Sequence, residues 1–321
     1  MLSPIRNCVL ATLIAAATFV SAHAALADDS MKIAIGQRGG WEQSVSELGQ
    51  NKGIFKKHGL TLDLFYTQGS AETLQSVLSN SVDIGIGLGT HSMLSAFLKG
   101  APIRGIGGSF TSADEQFYYV PADSAVRSMK DAGGKSIAIS TNGSASNMFA
   151  LHLARYFGVD LKPQPTGNYT ATLTQALTKQ VDIGFSAAPF NLNYVDEGKI
   201  RIVARGSEVP ALRDMTSRLI VVSASNLEKR REVLKRYMTA YLETLDWMYS
   251  DPAAIDAYAA WSNLPKALAA RAPEYMTKPN MTPTRISGMP GIMEDAVKFK
   301  YIPAPLNDEQ LKQAFPVEAL K

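Results

Sequence analysis

The segment Ser140-Thr141-Asn142-Gly143-Ser144-Ala145-Ser146 carries five hydroxyl or amide side chains and one glycine, directly before a run with helical spacing. The first N–H groups of a helix have no intrahelical partner, so such a start, crowded with hydroxyls, suits a carboxylate, sulfonate or phosphate. Ordinary capping needs only one of these residues, and the others are left over for a ligand. Arg38 and His91 are the cationic side chains in comparable loops, and an arginine can grip an oxyanion with two parallel hydrogen bonds. Trp41, Phe110, Tyr169 and Phe190 offer flat apolar faces for the body of a ligand. Catalytic patterns are missing: no GxSxG, P-loop, HExxH or dinucleotide fingerprint occurs, and His23, His58, His91 and His152 have no metal-ligand spacing. No catalytic residue, metal or cofactor is expected.

The elements that must position these residues come in two copies. Thr73 to Gly85, TLQSVLSNSVDIG, recurs as Thr172 to Gly184, TLTQALTKQVDIG, at a spacing of 99 residues. The same spacing aligns Gly59-Leu60-Thr61-Leu62 with Gly158-Val159-Asp160-Leu161, and Ile33-Ala34-Ile35-Gly36 resembles Ile137-Ala138-Ile139-Ser140 farther upstream. Three matches in one order predict one α/β unit built twice. In the first copy, strands at 32–35, 60–65 and 84–87 alternate with helices at 42–57 and 71–78, the latter capped by Ser70. Further strands are expected at 102–106 and 116–120. The second copy has strands at 137–139, near Pro163 and at 182–185, with helices at 147–157 and 171–179, and a last strand at 199–204. Beyond Pro210, Ser225 or Asn226 caps a long helix with Leu234, Tyr237, Met238, Tyr241, Leu245 and Met248 on one face. Parallel α/β units bind ligands outside the carboxyl ends of their strands, which selects the loops that hold the residues above.

The chain has 321 residues, enough for about two domains. Arg6, the apolar run Val9 to Val20 and the small-residue sites Ala22-His23-Ala24 and Ala25-Leu26-Ala27 read as a secretory signal peptide, residues 1–27. The run is too short for a spanning helix. Cleavage after Ala27 would remove Cys8, the only cysteine, and with it any thiolate or disulfide chemistry. A net charge of +3, with lysines and arginines scattered, is no nucleic-acid signature.

Asn51-Lys52-Gly53-Ile54-Phe55-Lys56-Lys57-His58-Gly59-Leu60, Leu78-Ser79-Asn80-Ser81-Val82-Asp83-Ile84-Gly85, Ala122 to Ser140 and Asn142 to Ser146 together resemble stretches of periplasmic substrate-binding proteins. The family is the nitrate, sulfonate and taurine type, related in fold to the thiamine-pyrimidine synthases. The resemblance implies an α/β, two-lobed periplasmic-binding-protein fold of type II. Each lobe would be a mostly parallel sheet flanked by helices, with hinges near 114–119 and 206–219. Lobe one would comprise 28–115 and 216–321, and lobe two 116–215. The family's ligand loops map onto Gln37 to Trp41 with Arg38 between, Ser70, Thr90 and His91, Asn142 to Ser146 including Ser144, and Ala188 to Phe190.

What the resemblance implies in function is a monomeric periplasmic protein that closes on a small molecule and presents it to an inner-membrane ABC permease with its ATPase. The polar loop and the aromatics favour a small organic anion, an aromatic or branched carboxylate or a sulfonate. Ser144 and Ser146 would hold it from one lobe and Arg38 from the other. A neutral pyrimidine-like thiamine precursor, or a non-transport enzyme of the same fold, is the alternative. The Cys-rich motif of the pyrimidine synthases and the nucleophilic cysteine of the related desulfinases are absent from 28–321.

Overall fold

The computed structural model describes residues 29–320; the expected signal peptide lies outside them. Two sheets of the same design form the framework. The first contains β1 (Asp29–Gly36), β2 (Leu60–Thr67), β3 (Ile84–Gly89), β4 (Ile103–Thr111) and β10 (Thr216–Ser223), ordered β2-β1-β3-β10-β4. The second contains β5 (Gln116–Pro121), β6 (Ser136–Ile139), β7 (Lys162–Pro165), β8 (Gly184–Ala187) and β9 (Ile200–Arg205). Its three-stranded part runs β8-β5-β9, and the parallel pair β6-β7 joins it through a parallel bridge between Ile137 and Ile183. In each sheet the strand that has just crossed from the other sheet, β10 or β5, lies antiparallel between its neighbours.

The helices are α1 (Trp41–Asn51), α2 (Ile54–Lys57), α3 (Ser70–Leu78), α4 (Thr90–Leu98), α5 (Ala145–Phe157), α6 (Tyr169–Leu177) and α7 (Leu192–Asp196). After β10 come α8 (Ala224–Lys229), α9 (Arg231–Ser250), α10 (Ala253–Ser262), α11 (Lys266–Ala269), α12 (Ala272–Tyr275), α13 (Lys278–Met281), α14 (Met289–Lys298) and α15 (Asp308–Ala314). The helix expected over 42–57 is two helices, because Gly53 sits at φ +85° between them. Ser223, not Ser225 or Asn226, caps the helical region after β10, accepting from the Asn226 N–H. Ser70 opens α3 as its first residue rather than capping it. The expected face of α9 is buried, with Leu234, Tyr237, Tyr241 and Leu245 in a core shared with Trp41, Phe55 and Tyr258.

The repeat has a hydrogen-bond meaning. Asp83 Oδ2 accepts from the Lys32 N–H at 2.8 Å, and Asp182 Oδ2 from the Ser136 N–H at 2.9 Å. Each carboxylate thereby ties its own strand to a parallel neighbour, β3 to β1 and β8 to β6. Thr73 Oγ1 meets Thr67 Oγ1 at 2.8 Å, and Thr172 Oγ1 meets Thr166 Oγ1 at 2.6 Å. The repeated glycines, Gly85 and Gly184, lie where a Cβ would fall 2.7 Å from Val77 and 2.4 Å from the Tyr119 ring.

Candidate functional site

The carboxyl ends of the parallel strands and the amino ends of the antiparallel β5 and β10 meet at one place, and helices start there. A cavity of about 40 Å³ lies between them, lined by residues that include Gln43 in the first turn of α1, Ser70 at the start of α3, Ala145 and Ser146 at the start of α5, and Tyr169 at the start of α6. Four helix N-termini thus converge, two beside each sheet. Those of α1 and α3 follow glycines, Gly40 and Gly69, and have no capping side chain. Their partial positive charges and unpaired N–H groups favour a negative or acceptor-rich guest. A cavity of this size has room for a few water molecules or the head group of a small solute.

The polar loop before α5 is organised around Ser146. Its Oγ accepts from the Ser140 N–H at 2.9 Å and lies 2.9 Å from Ser144 Oγ and 3.2 Å from Ser140 Oγ. Ser144 is the cap of α5, accepting from the Asn147 N–H. Behind the loop, Gln116 donates to Tyr118 Oη, which donates to the Ser146 carbonyl. Across the cavity, Ser70 Oγ accepts from the Gly89 N–H, and Gln37, in the left-handed region at φ 65°, reaches the Gly167 carbonyl.

The cavity's cationic side chain is Arg218 of β10, which sequence reasoning missed. Arg218 Nε donates to Glu42 Oε2 and Nη2 to Glu115 Oε1, both at 2.6 Å. The Phe110 ring lies under its guanidinium, 4.8 Å away. Both glutamates are fully buried. Glu42 also accepts from Ser109 Oγ at 2.5 Å and from Gln43 Nε2 at 3.2 Å. Burial pushes the Glu115 carboxyl up from its ordinary range, with Arg218 opposing and Glu42 reinforcing the shift.

A second cavity, about 150 Å³, shares Gln37 and Tyr169 with the first and adds Arg38, Tyr66, Gln68, Asn168 and Phe190 among its walls. Tyr169 and Phe190 stack at 5.6 Å. Arg38 does not face Ser144 across the site as its loop position suggests. It is half-exposed, paired with Glu47 at 3.1 Å and laid over the Trp261 and Tyr66 rings.

The remaining residues singled out from sequence stand elsewhere. Trp41 is buried in the core, donating to Tyr249, and Phe110 meets Arg218 from the protein side. Thr90 donates to the Thr216 carbonyl. His91 is buried in α4 against Tyr301, and that burial pushes its imidazole down to about 4, so it is neutral and supplies no charge. Asn142 is exposed and Ala188 fully buried. A larger cavity, about 400 Å³, flanks α5 between α14 and the Val209–Ala211 turn. It lies away from the strand ends, and its walls mix His152 and Arg155 with Glu294 and Asp295.

A family model described as NMT1/THI5 like matches residues 47–255. No curated protein sequence matches the chain at a significant level. Among solved structures, the alkanesulfonate-binding protein SsuA from Xanthomonas axonopodis pv. citri, bound to MOPS, superposes with a TM-score of 0.71 at 20% identity, over 84% of this chain and 90% of that one. The periplasmic nitrate-binding protein NrtA from Synechocystis PCC 6803 gives 0.71 at 11% identity, over 90% and 86%. A mutant of DSZB in complex with biphenyl-2-sulfinic acid gives 0.63 at 14% identity, over 91% and 98%. The fold is therefore the two-lobed periplasmic-binding-protein fold, which the two similar sheets fit.

Proposed function

The chain belongs to the NMT1/THI5-like family, and on that basis we propose that it is the periplasmic solute-binding component of an ABC importer. It captures a small organic anion, a carboxylate or sulfonate, between its lobes and delivers it to an inner-membrane permease. The lobes are residues 28–115 with 216–321, and residues 116–215. One observation carries the choice of an anion: four helix N-termini, two of them uncapped, converge on one polar cavity. The sulfonate- and nitrate-binding proteins of the same fold support it. The ligand's head group sits by Ala145, Ser146 and Ser70, and its body extends toward Tyr169 and Phe190.

Binding rather than catalysis is favoured because the serines lining the cavity lack a basic partner: Ser140, Ser144 and Ser146 contact one another and backbone groups. A thermal-shift screen of the protein from residue 28 onward against carboxylates, sulfonates, nitrate and pyrimidines tests the reading. Stabilisation by one or more anions is expected, since a ligand specific to the native state raises stability with its concentration. Stabilisation by pyrimidines alone would shift the assignment to a neutral ring, and turnover of a bound sulfinate would make the protein an enzyme.

A further inference from the structure

Arg218, Glu42 and Glu115 form a buried cluster of one guanidinium and two carboxyl groups. Arginine stays charged in proteins, so two ionised carboxyls would leave one uncompensated negative charge beside a cavity read as an anion site. The two glutamates are not equivalent. Glu42 accepts three hydrogen bonds, from Arg218, Ser109 and Gln43. Among side-chain donors Glu115 receives only Arg218 Nη2, on Oε1, and its Oε2 is buried with no partner. An unpartnered oxygen is far more tolerable in a neutral carboxyl than in a carboxylate.

We propose that Glu115 carries a proton on Oε2 at neutral pH, and that this proton keeps the cluster neutral so that an anion can bind beside Arg218. Oε1 remains the acceptor for Arg218 Nη2, and Glu42 is the ionised partner. The charged and titratable groups around Glu115 are Arg218 on β10, Glu42 on α1, Tyr118 on β5 and Tyr169 on α6. Both phenols are pushed up by burial and stay neutral, so neither supplies a compensating charge. The upward displacement of the Glu115 carboxyl by burial points the same way. Anion and proton are then held together, and raising the pH through the titration of Glu115 weakens anion binding. This coupling rests on the proposed anion site; the protonation does not.

Infrared difference spectroscopy of ligand-free protein at pH 7, wild type minus Glu115→Gln, tests the protonation without any ligand. A protonated carboxyl stretch present in the wild type and missing in the variant is expected. Carboxylate bands alone would overturn the proposal. Should Glu115→Gln fail to fold, ¹³C-glutamate labelling of the wild type identifies the same band by its isotope shift. Calorimetry with benzenesulfonate as the probe then reads the coupling. Affinity should fall about tenfold per pH unit above the Glu115 titration in the wild type and stay flat in Glu115→Gln. A pH-flat wild type that binds the probe would overturn the coupling. A protein that shows the band but binds no carboxylate or sulfonate overturns the anion reading and leaves the protonated Glu115 standing.

Discussion

Arg218 holds together groups from three directions: Glu42 at the start of α1, Glu115 just before β5 and the ring of Phe110. Removing one partner of a buried ion pair leaves a charge with neither water nor a counter-ion, which costs about 3–5 kcal/mol. Arg218→Met should lower the unfolding free energy by that amount in urea titrations, and a loss well under about 1 kcal/mol would mean the cluster is solvated. The run Thr216-Ser217-Arg218-Leu219-Ile220-Val221-Val222 carries the signal that was available: a lone charge at the head of an apolar run, where buried charges are paired. Arg38 misled because its loop lies at a strand end, while its guanidinium turns toward Glu47 and Trp261.

His91 makes a pH prediction at the same scale. Its imidazole is buried, which lowers its titration from 6.5 in the unfolded chain to about 4 in the fold. Asp295 opposes that shift and His152 adds to it. The unfolded chain therefore binds the extra proton first, so this contribution is complete above about pH 6.5 and is lost as pH falls toward about 4. The loss is about 3 kcal/mol. Thermal or urea unfolding of wild type and His91→Phe across this window should show a shallower slope in the variant. Equal slopes would show that His91 does not titrate in this way.

Among the elements, the repeated Val-Asp-Ile-Gly was legible because both copies do one job, a carboxylate tying two parallel strands together where their pairing begins. Both also have side-chain partners: Asp83 accepts from Arg230 at 2.6 Å and is 17% exposed, whereas Asp182 accepts from Ser136 Oγ at 2.7 Å and is 42% exposed. Charge-assisted hydrogen bonds are worth roughly 1.5–3 kcal/mol. Asp83→Ala should therefore cost about that much in unfolding free energy, and Asp182→Ala less, because water competes for its bonds. The reverse order would show that the repeat is not held by these carboxylates. β10 was missed because its polar start, Thr216-Ser217-Arg218, reads as loop. The expected hinge residues 216–219 consequently lie within a strand whose eight residues are all buried. Sequence periodicity sees the residues of one strand and not the strand it slots between. The loop before α5 was legible for the opposite reason, since its hydroxyls and the helix start are adjacent in sequence.

On the scale of the whole molecule, the proposed lobes meet through neutral hydrogen bonds and through charged contacts, among them Arg271 with Asp196 at 2.8 Å and Asp295 with His152 at 3.0 Å and Arg155 at 3.8 Å. Ser92 Oγ donates to the Gly143 carbonyl and Tyr301 Oη to Asn147 Oδ1, each at 2.7 Å, and Asn168 Nδ2 reaches Gln68 Oε1 at 3.3 Å. Such neutral bonds are worth about 0.5–1.5 kcal/mol each and an exposed ion pair such as Arg271–Asp196 about 0–1 kcal/mol, and a ligand that contacts both lobes adds its own preference for the closed state. Tyr301→Phe should weaken ligand binding about two- to tenfold in calorimetry, with no change in the site itself; an unchanged affinity would place Tyr301 outside the closing surface. Small-angle scattering should show the radius of gyration shrinking when ligand is added.

The position of the bound solute decides between a ligand site at the helix starts and every other assignment. A crystal structure of the protein with its tightest-binding solute should place an oxyanion within hydrogen-bond distance of the Ala145 and Ser146 N–H groups, with Ser70 and Arg218 around it. A solute bound elsewhere, for example in the cavity beside His152 and Arg155, or one that presents a cation or no charge to those N–H groups, would contradict it.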